Sequence, residues 1–294
     1  GSSHFLAQGR TTGASRGPSR TTPSQPAAMA RLRRIAAITL GAAALCSAQH
    51  PVLGGYYPVS NVVEHAQMVY DVEAITLFAG AGSYTEAKSV YTEGRNSCKS
   101  STGRRSLQGF VSEATYTSKL KGTAFACSFT SSPCGPSEDS MKVGLGSGRL
   151  ALAGNFWDKF ITDALDGTGD FAGKSDAMRK TAVKKGVLGV LTMYSAYELE
   201  SAITKAFNNE TEDNQAAHAW DEGWAFMYGS HPGSEGFFGA WEFTMKRDSD
   251  FCVDAQNQAT AAMEGKTTVL RYFMAGQKAS REGDVAAMVA ARND

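Results

Sequence analysis

The stretch AHAWDEGWAFMYGS, residues 217–230, places large and small apolar residues where one side of a helix would present them. Its tryptophans and phenylalanine stand among alanines and glycine, a mixture that allows close packing against neighbouring helices. The stretch therefore predicts a helix that packs in the interior of an α-helical domain.

Helical periodicity continues on both sides of this stretch, and Gly-rich turns separate the periodic segments. No segment shows sustained period-two alternation, so the sequence predicts an all-α fold, an irregular bundle of about eight to ten helices. The segment 174–207 allows two interpretations: one long helix, or two helices with a break at Gly186 or Gly189. The predicted helices are Asn61–Phe78, Ser83–Glu93, Phe110–Lys121 (where a strand is the alternative), Arg149–Leu165, Lys174–Phe207, Glu212–Tyr228, Phe237–Arg247, Asp254–Ala275 and Ser280–Ala291.

The N-terminal part of the chain differs from the rest. Residues 1–28 are rich in Ser, Thr, Gly, Pro and Arg, a composition that predicts a disordered or upstream extension. Residues 29–48 combine three arginines, the apolar run Ile35–Leu45 and small residues before Gln49, which predicts a cleaved secretory signal peptide. The alternative is a short membrane anchor, but a span needs about 20 apolar residues. Residues 49–294 are expected to form a single secreted domain.

Removal of the signal changes the charge of the protein. The whole chain has 29 basic and 29 acidic residues, and residues 1–48 hold six of the arginines and no acidic residue. Hence 23 basic residues face 29 acidic ones in the mature chain, a formal charge of −6. An acidic protein favours cations and argues against nucleic acid or an anionic membrane surface as a partner. No second apolar run has the length of a transmembrane span.

The cysteine content agrees with export. Four cysteines remain after the signal, and an even number in an oxidising compartment predicts two disulfides. Cys127 and Cys134 flank a short loop that a local bridge would close, which leaves Cys98 to pair with Cys252. Asn209 begins an Asn-Glu-Thr sequon and is a predicted glycosylation site.

A candidate metal site lies in the opening stretch. On a helix, His218, Asp221 and Glu222 stand at i, i+3 and i+4, so their side chains project from the same side. An imidazole and two carboxylates facing a bundle interior suit a hard metal such as Fe(III) or Fe(II). The alternative is that both carboxylates only hold the fold by hydrogen bonds, with His218 exposed.

A second candidate lies in the preceding helix. Tyr194, Tyr197 and Glu198 share a face, and phenolate with carboxylate suits Fe(III). Near the mature N-terminus, a weaker group adds further acidic and imidazole side chains: Glu64, His65, Asp71 and Glu73.

The chain contains no P-loop, no Gly-x-Ser-x-Gly elbow and no His-Glu-x-x-His zinc motif, so no enzymatic activity is expected.

Several segments together resemble a known family. Trp220–Ser230, followed by Lys246-Arg247 and Asp250-Phe251, is similar to signatures of the algal iron-assimilation proteins, also described as low-iron-inducible or high-CO2-inducible periplasmic proteins. Shorter matches occur in the same order along the chain, at Tyr91–Ser97, Tyr194–Glu200 and Phe273–Gln277. The family's Cys after Lys-Arg is Asp248 here, so a disulfide pairing taken from the family does not transfer directly.

The resemblance implies a secreted protein of the periplasmic space or cell surface that takes part in iron uptake. We therefore expect iron, Fe(III) or Fe(II), as the bound cofactor or cargo, and a membrane iron-uptake system or a cell-wall component as the partner. The alternative function is a non-enzymatic structural or cell-wall surface protein whose carboxylates hold the fold. Inorganic carbon handling, which the high-CO2 label implies, lacks the three-ligand spacing that zinc catalysis requires.

Overall fold

A computed structural model describes residues 53–99, 103–115, 141–142, 151–152, 156–230, 239–241 and 268–293. These residues are helical apart from loops and one short antiparallel pair of strands, β1 Met141–Lys142 and β2 Ala151–Leu152. The predicted all-α class is confirmed for them. The helices are α1 Val63–Ala66, α2 Met68–Gly80, α3 Tyr84–Glu93, α4 Leu107–Val111, α5 Glu113–Thr115, α6 Phe156–Asp166, α7 Asp176–Phe207, α8 Ala216–Tyr228, α9 Thr268–Glu282 and α10 Val285–Asn293, with a 3-10 turn at Gly169–Phe171.

Helix α7 forms the axis of the fold. Its 32 residues span about 48 Å at 1.5 Å per residue. Ser175 caps its N-terminus, where the hydroxyl accepts a hydrogen bond from the Met178 N–H at 3.3 Å. Helices α2, α6 and α8 pack along it.

The glycines that suggested a break in this helix are packing positions instead. A Cβ on Gly186 would lie 2.6 Å from the Ile161 side chain, and a Cβ on Gly189 would lie 3.3 Å from the Trp157 ring. Both contacts come from α6, which approaches α7 closely because these positions lack side chains. Helix α7 is therefore continuous, and the two-helix alternative is wrong.

Helix α8 lies against α7 on one side and α9 on the other. Its Trp220 and Trp224 are fully buried, and each indole N–H finds a backbone acceptor: Phe273 O at 2.8 Å and Leu53 O at 2.9 Å. Buried indoles require such partners, because an unpaired N–H costs about 1–3 kcal/mol. The two tryptophans thus join α8 to the N-terminal segment and to α9.

Several predicted helix boundaries are wrong. The helix predicted from Phe110 begins at Leu107 and is interrupted at Ser112, and the helix predicted from Glu212 begins at Ala216. The helix predicted over Asn61–Phe78 divides at Gln67 into α1 and α2. The helix predicted from Arg149 begins only at Phe156, and the strand β2 occupies part of the intervening segment. The break predicted after Ala275 is absent, since α9 continues to Glu282.

Other predictions lie outside the described residues. They include the extension and signal peptide at 1–48, the helix at Phe237–Arg247 apart from residues 239–241, and Cys127, Cys134 and Cys252. Cys98 is buried in the loop after α3, where its backbone pairs with that of Arg104. The disulfide pairing therefore stays a prediction. In the described part of the chain, no helix combines the length and the apolar character that crossing a membrane requires.

The packing of α9 against α8 depends on Gly276, because a Cβ at this position would overlap the Trp220 indole. We predict that Gly276→Ala destabilises the protein by about 1–3 kcal/mol through overpacking, measured by urea unfolding. Gly80→Ala is the matched control, because this helical glycine has nothing within 4 Å of the added Cβ. The control should change stability by less than about 1 kcal/mol, and equal losses in both variants would contradict the packing role.

Candidate metal centre

Three side chains from two helices converge on one point. His65 comes from α1, and His218 and Glu222 stand one turn apart on α8. The Nε2 atoms of His65 and His218 lie 2.8 Å and 3.0 Å from the same carboxylate oxygen, Oε1 of Glu222. These potential ligand atoms lie within 4.8 Å of one another. Two imidazole nitrogens and one carboxylate oxygen therefore form a compact donor set.

The cluster sits at the edge of the core. The His65 side chain is 7% exposed, and its ring meets the edge of Phe226 at a centroid distance of 5.5 Å. The side chains of His218 and Glu222 are 28% and 15% exposed. One histidine is thus anchored in the interior, while the other two groups reach solvent.

Burial and hydrogen bonding set the charges of the cluster. Burial opposes ionisation of Glu222, but hydrogen bonds from His218 and His65 more than offset it, so the pKa of Glu222 lies well below its usual value. Burial lowers the pKa of His65 despite the nearby Glu222. The buried imidazole is therefore neutral at neutral pH and faces an ionised carboxylate, as metal ligation requires.

Asp221, the third member of the predicted α8 site, points into a different hydrogen-bond network. It is fully buried, and Oδ1 accepts from the Tyr56 hydroxyl at 2.6 Å and from the Gln277 amide at 2.7 Å. Oδ2 accepts from Val59 N, Ser60 N and Ser60 Oγ at 2.8, 3.0 and 2.9 Å. A carboxylate has about four acceptor positions. These five bonds use its capacity and tie α8 to the N-terminal segment and to α9.

The predicted tyrosine site lies beside the cluster. Tyr194 is buried, stacks on Phe110 at 4.0 Å, and meets the edge of Phe226, which also contacts His65. Burial, followed by the charge of Glu198, raises the pKa of Tyr194 and of Tyr197. Both phenols are therefore protonated at neutral pH, the form that binds metals weakly.

Asp71, from the weaker N-terminal group, is buried away from this donor set. Its carboxylate accepts from Arg95 N at 3.1 Å, and from the backbone and side-chain N–H groups of Asn96 at 3.0 and 2.6 Å. Burial raises its pKa to about 6 against the effect of these bonds. Asp71 thus holds the loop after α3 against α2.

His65 is the member of the cluster that sequence reasoning did not join to the α8 residues. It lies far from them in sequence, and no spacing rule connects a residue of α1 with residues of α8. Its sequence signal was membership of the weaker N-terminal group, beside the acidic residues Glu64, Asp71 and Glu73.

Asn209, the predicted glycosylation site, is exposed just after α7 in a left-handed conformation with φ 63°.

The fold and the donor set define a class of protein: an all-α domain with a two-histidine, one-carboxylate candidate metal centre. The chain belongs to the low iron-inducible periplasmic protein family, Fea1, whose model matches residues 34–294. This match confirms the resemblance noted from the sequence and the expected periplasmic location. Neither a curated protein nor a solved structure matches the chain.

The hydrogen bonds of Asp221 predict a large effect of a small change. Asp221→Asn places an NH2 group among five donors, so we expect a loss of about 2–3 kcal/mol of unfolding free energy in urea titrations. Asp213→Asn is the control, because Asp213 pairs with Arg281 on the surface and should cost less than about 1 kcal/mol. A stability of Asp221→Asn equal to that of the control would contradict the structural role of Asp221.

Proposed function

We propose that this protein binds iron in the periplasmic space or at the cell surface and assists its uptake. In this proposal His65, His218 and Glu222 hold the ion. The observation that carries it is the approach of both imidazole Nε2 atoms to one oxygen of Glu222. The family description, which ties the chain to low iron, supports iron as the metal.

The geometry of the donor atoms is compatible with an ion. Bonds of about 2.1 Å at right angles would separate adjacent ligand atoms by about 3.0 Å. The Nε2–Oε1 separations of 2.8 and 3.0 Å are close to this value. A small movement of the side chains would therefore admit a metal ion in place of the present hydrogen bonds.

The chemistry of the donors favours ferrous iron within this proposal. Two neutral imidazoles and one carboxylate with open coordination positions are the set that non-haem Fe(II) proteins use. Fe(III) prefers more anionic oxygen donors, and the neighbouring phenols of Tyr194 and Tyr197 are protonated. The remaining coordination positions would be filled by water or by groups of a receiving partner.

The exposure of the cluster supports carriage rather than permanent storage. His218 and Glu222 reach solvent, so an ion has a short path into and out of the site. The predicted acidity of the mature chain attracts cations, and a membrane iron-uptake system is the partner we propose for delivery. We propose no enzymatic activity, because the family description names an induced periplasmic protein and no reaction.

An anaerobic Fe(II) titration of the purified, secreted chain tests this function. We expect the wild type to bind one ion per chain at this site. His218→Ala and Glu222→Gln should each weaken binding by about 100-fold or more, since each removes one of three ligands. Glu86→Gln is the matched control, because Glu86 is an exposed carboxylate on α3 that is not part of the cluster. The affinity of this variant should equal that of the wild type.

Two other outcomes would contradict the proposal. If His218→Ala and Glu222→Gln bind normally while Tyr197→Phe or Glu198→Gln does not, the ion binds at the tyrosine site. If the folded wild type binds neither ferrous nor ferric iron above the level of nonspecific binding, the protein is better explained as a structural component of the cell surface.

A further inference from the structure

We propose that the loop after α3 is a docking surface for an acidic segment of a partner polypeptide. We call its described residues, 94–99 and 103–105, the basic loop. The loop carries four basic side chains, those of Arg95, Lys99, Arg104 and Arg105. That the partner receives iron rests on the proposed function, whereas the binding of an acidic segment does not.

The charge of the basic loop is opposite to that of the whole protein. Residues 94–112 contain these four basic residues and no acidic one, a formal charge of +4, whereas the predicted mature chain carries −6. Lys99 and Arg104 are exposed, and Arg95 and Arg105 are half-buried. A local surface of opposite charge attracts and orients an acidic partner that the rest of the protein repels.

These positive charges are not neutralised by neighbouring carboxylates. Within the described part of the chain, none of the four basic side chains lies in an ion pair. On the neighbouring helices α3 and α6, by contrast, Lys88 pairs with Asp166, and Lys159 pairs with Asp163. The charge of the basic loop is therefore available to a partner.

Hydrogen bonds hold the basic loop in one shape. The buried Asp71 carboxylate binds its first residues, as described for the site above. Two backbone hydrogen bonds of 2.9 and 2.8 Å then join its two arms, from Lys99 N to Gly103 O and from Arg105 N to Ser97 O. A surface that is already ordered loses less conformational freedom when a partner binds. The loop thus presents its side chains from a fixed backbone.

The basic loop also borders the candidate metal centre. Ser97 Oγ donates to the backbone carbonyl of Glu64, the residue of α1 that precedes His65. On the other arm, burial lowers the pKa of Arg105, and the charges of Glu222 and Glu64 oppose this shift. An acidic segment on the loop would therefore bring carboxylates, which are ligands for cations, beside the helix that carries His65.

The form of the charged surface favours a short polypeptide segment as the occupant. The basic side chains lie on one loop with joined arms, so they form a compact patch rather than a long track. Three of the four are arginines, whose planar guanidinium groups pair with carboxylates through two parallel N–H donors. A few glutamate or aspartate side chains in sequence would match this patch.

The test measures binding of a fluorescent polyglutamate peptide to the metal-free, full-length secreted chain by fluorescence anisotropy at several salt concentrations. The loop variant combines Arg95→Gln, Lys99→Gln and Arg104→Gln, and it keeps Arg105 because this residue lies near Glu222. The substitutions remove three charges and leave the backbone hydrogen bonds in place. We expect the affinity for polyglutamate to fall by about 10-fold. Its salt dependence should also become weaker.

The matched control combines Lys174→Gln, Lys184→Gln and Lys278→Gln. These three lysines are exposed and lie outside the basic loop, so the control changes the net charge by the same amount. Its affinity for polyglutamate should stay within about 2-fold of the wild type. Equal losses in the loop variant and the control would show attraction by net charge alone and would overturn the docking surface.

Two further measurements separate the alternatives. If the wild type binds polygalacturonate, an acidic polysaccharide, more tightly than polyglutamate, and the loop variant loses this binding, a polypeptide is not the partner. If the wild type does not bind polyglutamate, the docking surface is overturned, whatever the result of the Fe(II) titration. A loop-dependent binding of polyglutamate by a chain that binds no iron supports the docking surface and overturns only the iron function.

Discussion

The arrangement around α8 depends on one buried charge. The Asp221 carboxylate has no exposed surface, and such a group is tolerated only when hydrogen bonds replace the water it has lost. Its donors come from two places: the segment 56–60 before α1, and Gln277 of α9. Placing this carboxylate in the interior therefore requires both elements to close around α8, and their closure brings α1 into contact with the same helix.

This closure also assembles the candidate metal centre. Since α1 follows directly after segment 56–60, the bonds to Asp221 limit where His65 can lie. Its ring then reaches Glu222, the residue next to Asp221 on α8. The two adjacent carboxylates thus have different roles, because the side chains of neighbouring residues on a helix project about 100° apart. Asp221 holds the fold, and Glu222 faces the histidines.

The part of the site that sequence reasoning could predict was the part within one helix. The i, i+4 spacing of His218 and Glu222 predicted that their side chains meet, and they do. The same rule grouped Asp221 with them, but local spacing contains no information on the donors that segment 56–60 and α9 supply. Local spacing also could not group His65 with His218 and Glu222, because His65 lies on a different helix. The all-α class of the described residues needed only local periodicity, and the sequence predicted it.

Glycine shows the same limit of local reasoning. By propensity, Gly186 and Gly276 mark weak points or ends of helices. The sequence left a break at Gly186 as an alternative and predicted a break after Ala275. In the structure each lies inside a helix, where Ile161 or Trp220 occupies the space that a Cβ would need. Propensity describes the cost of glycine to an isolated helix, whereas here close packing against a large side chain offsets that cost.

The family signature at Trp220–Ser230 is mainly a packing motif. Trp220 and Trp224 bond to backbone carbonyls of neighbouring elements, and a Cβ on Gly223 would lie 2.6 Å from Leu199. Glu222 is the residue of this stretch that faces the histidines. In this chain the stretch therefore supplies helix contacts around the cluster and one of its three side chains, Glu222. The two histidines, His65 and His218, lie outside it, so the signature alone does not assemble the donor set.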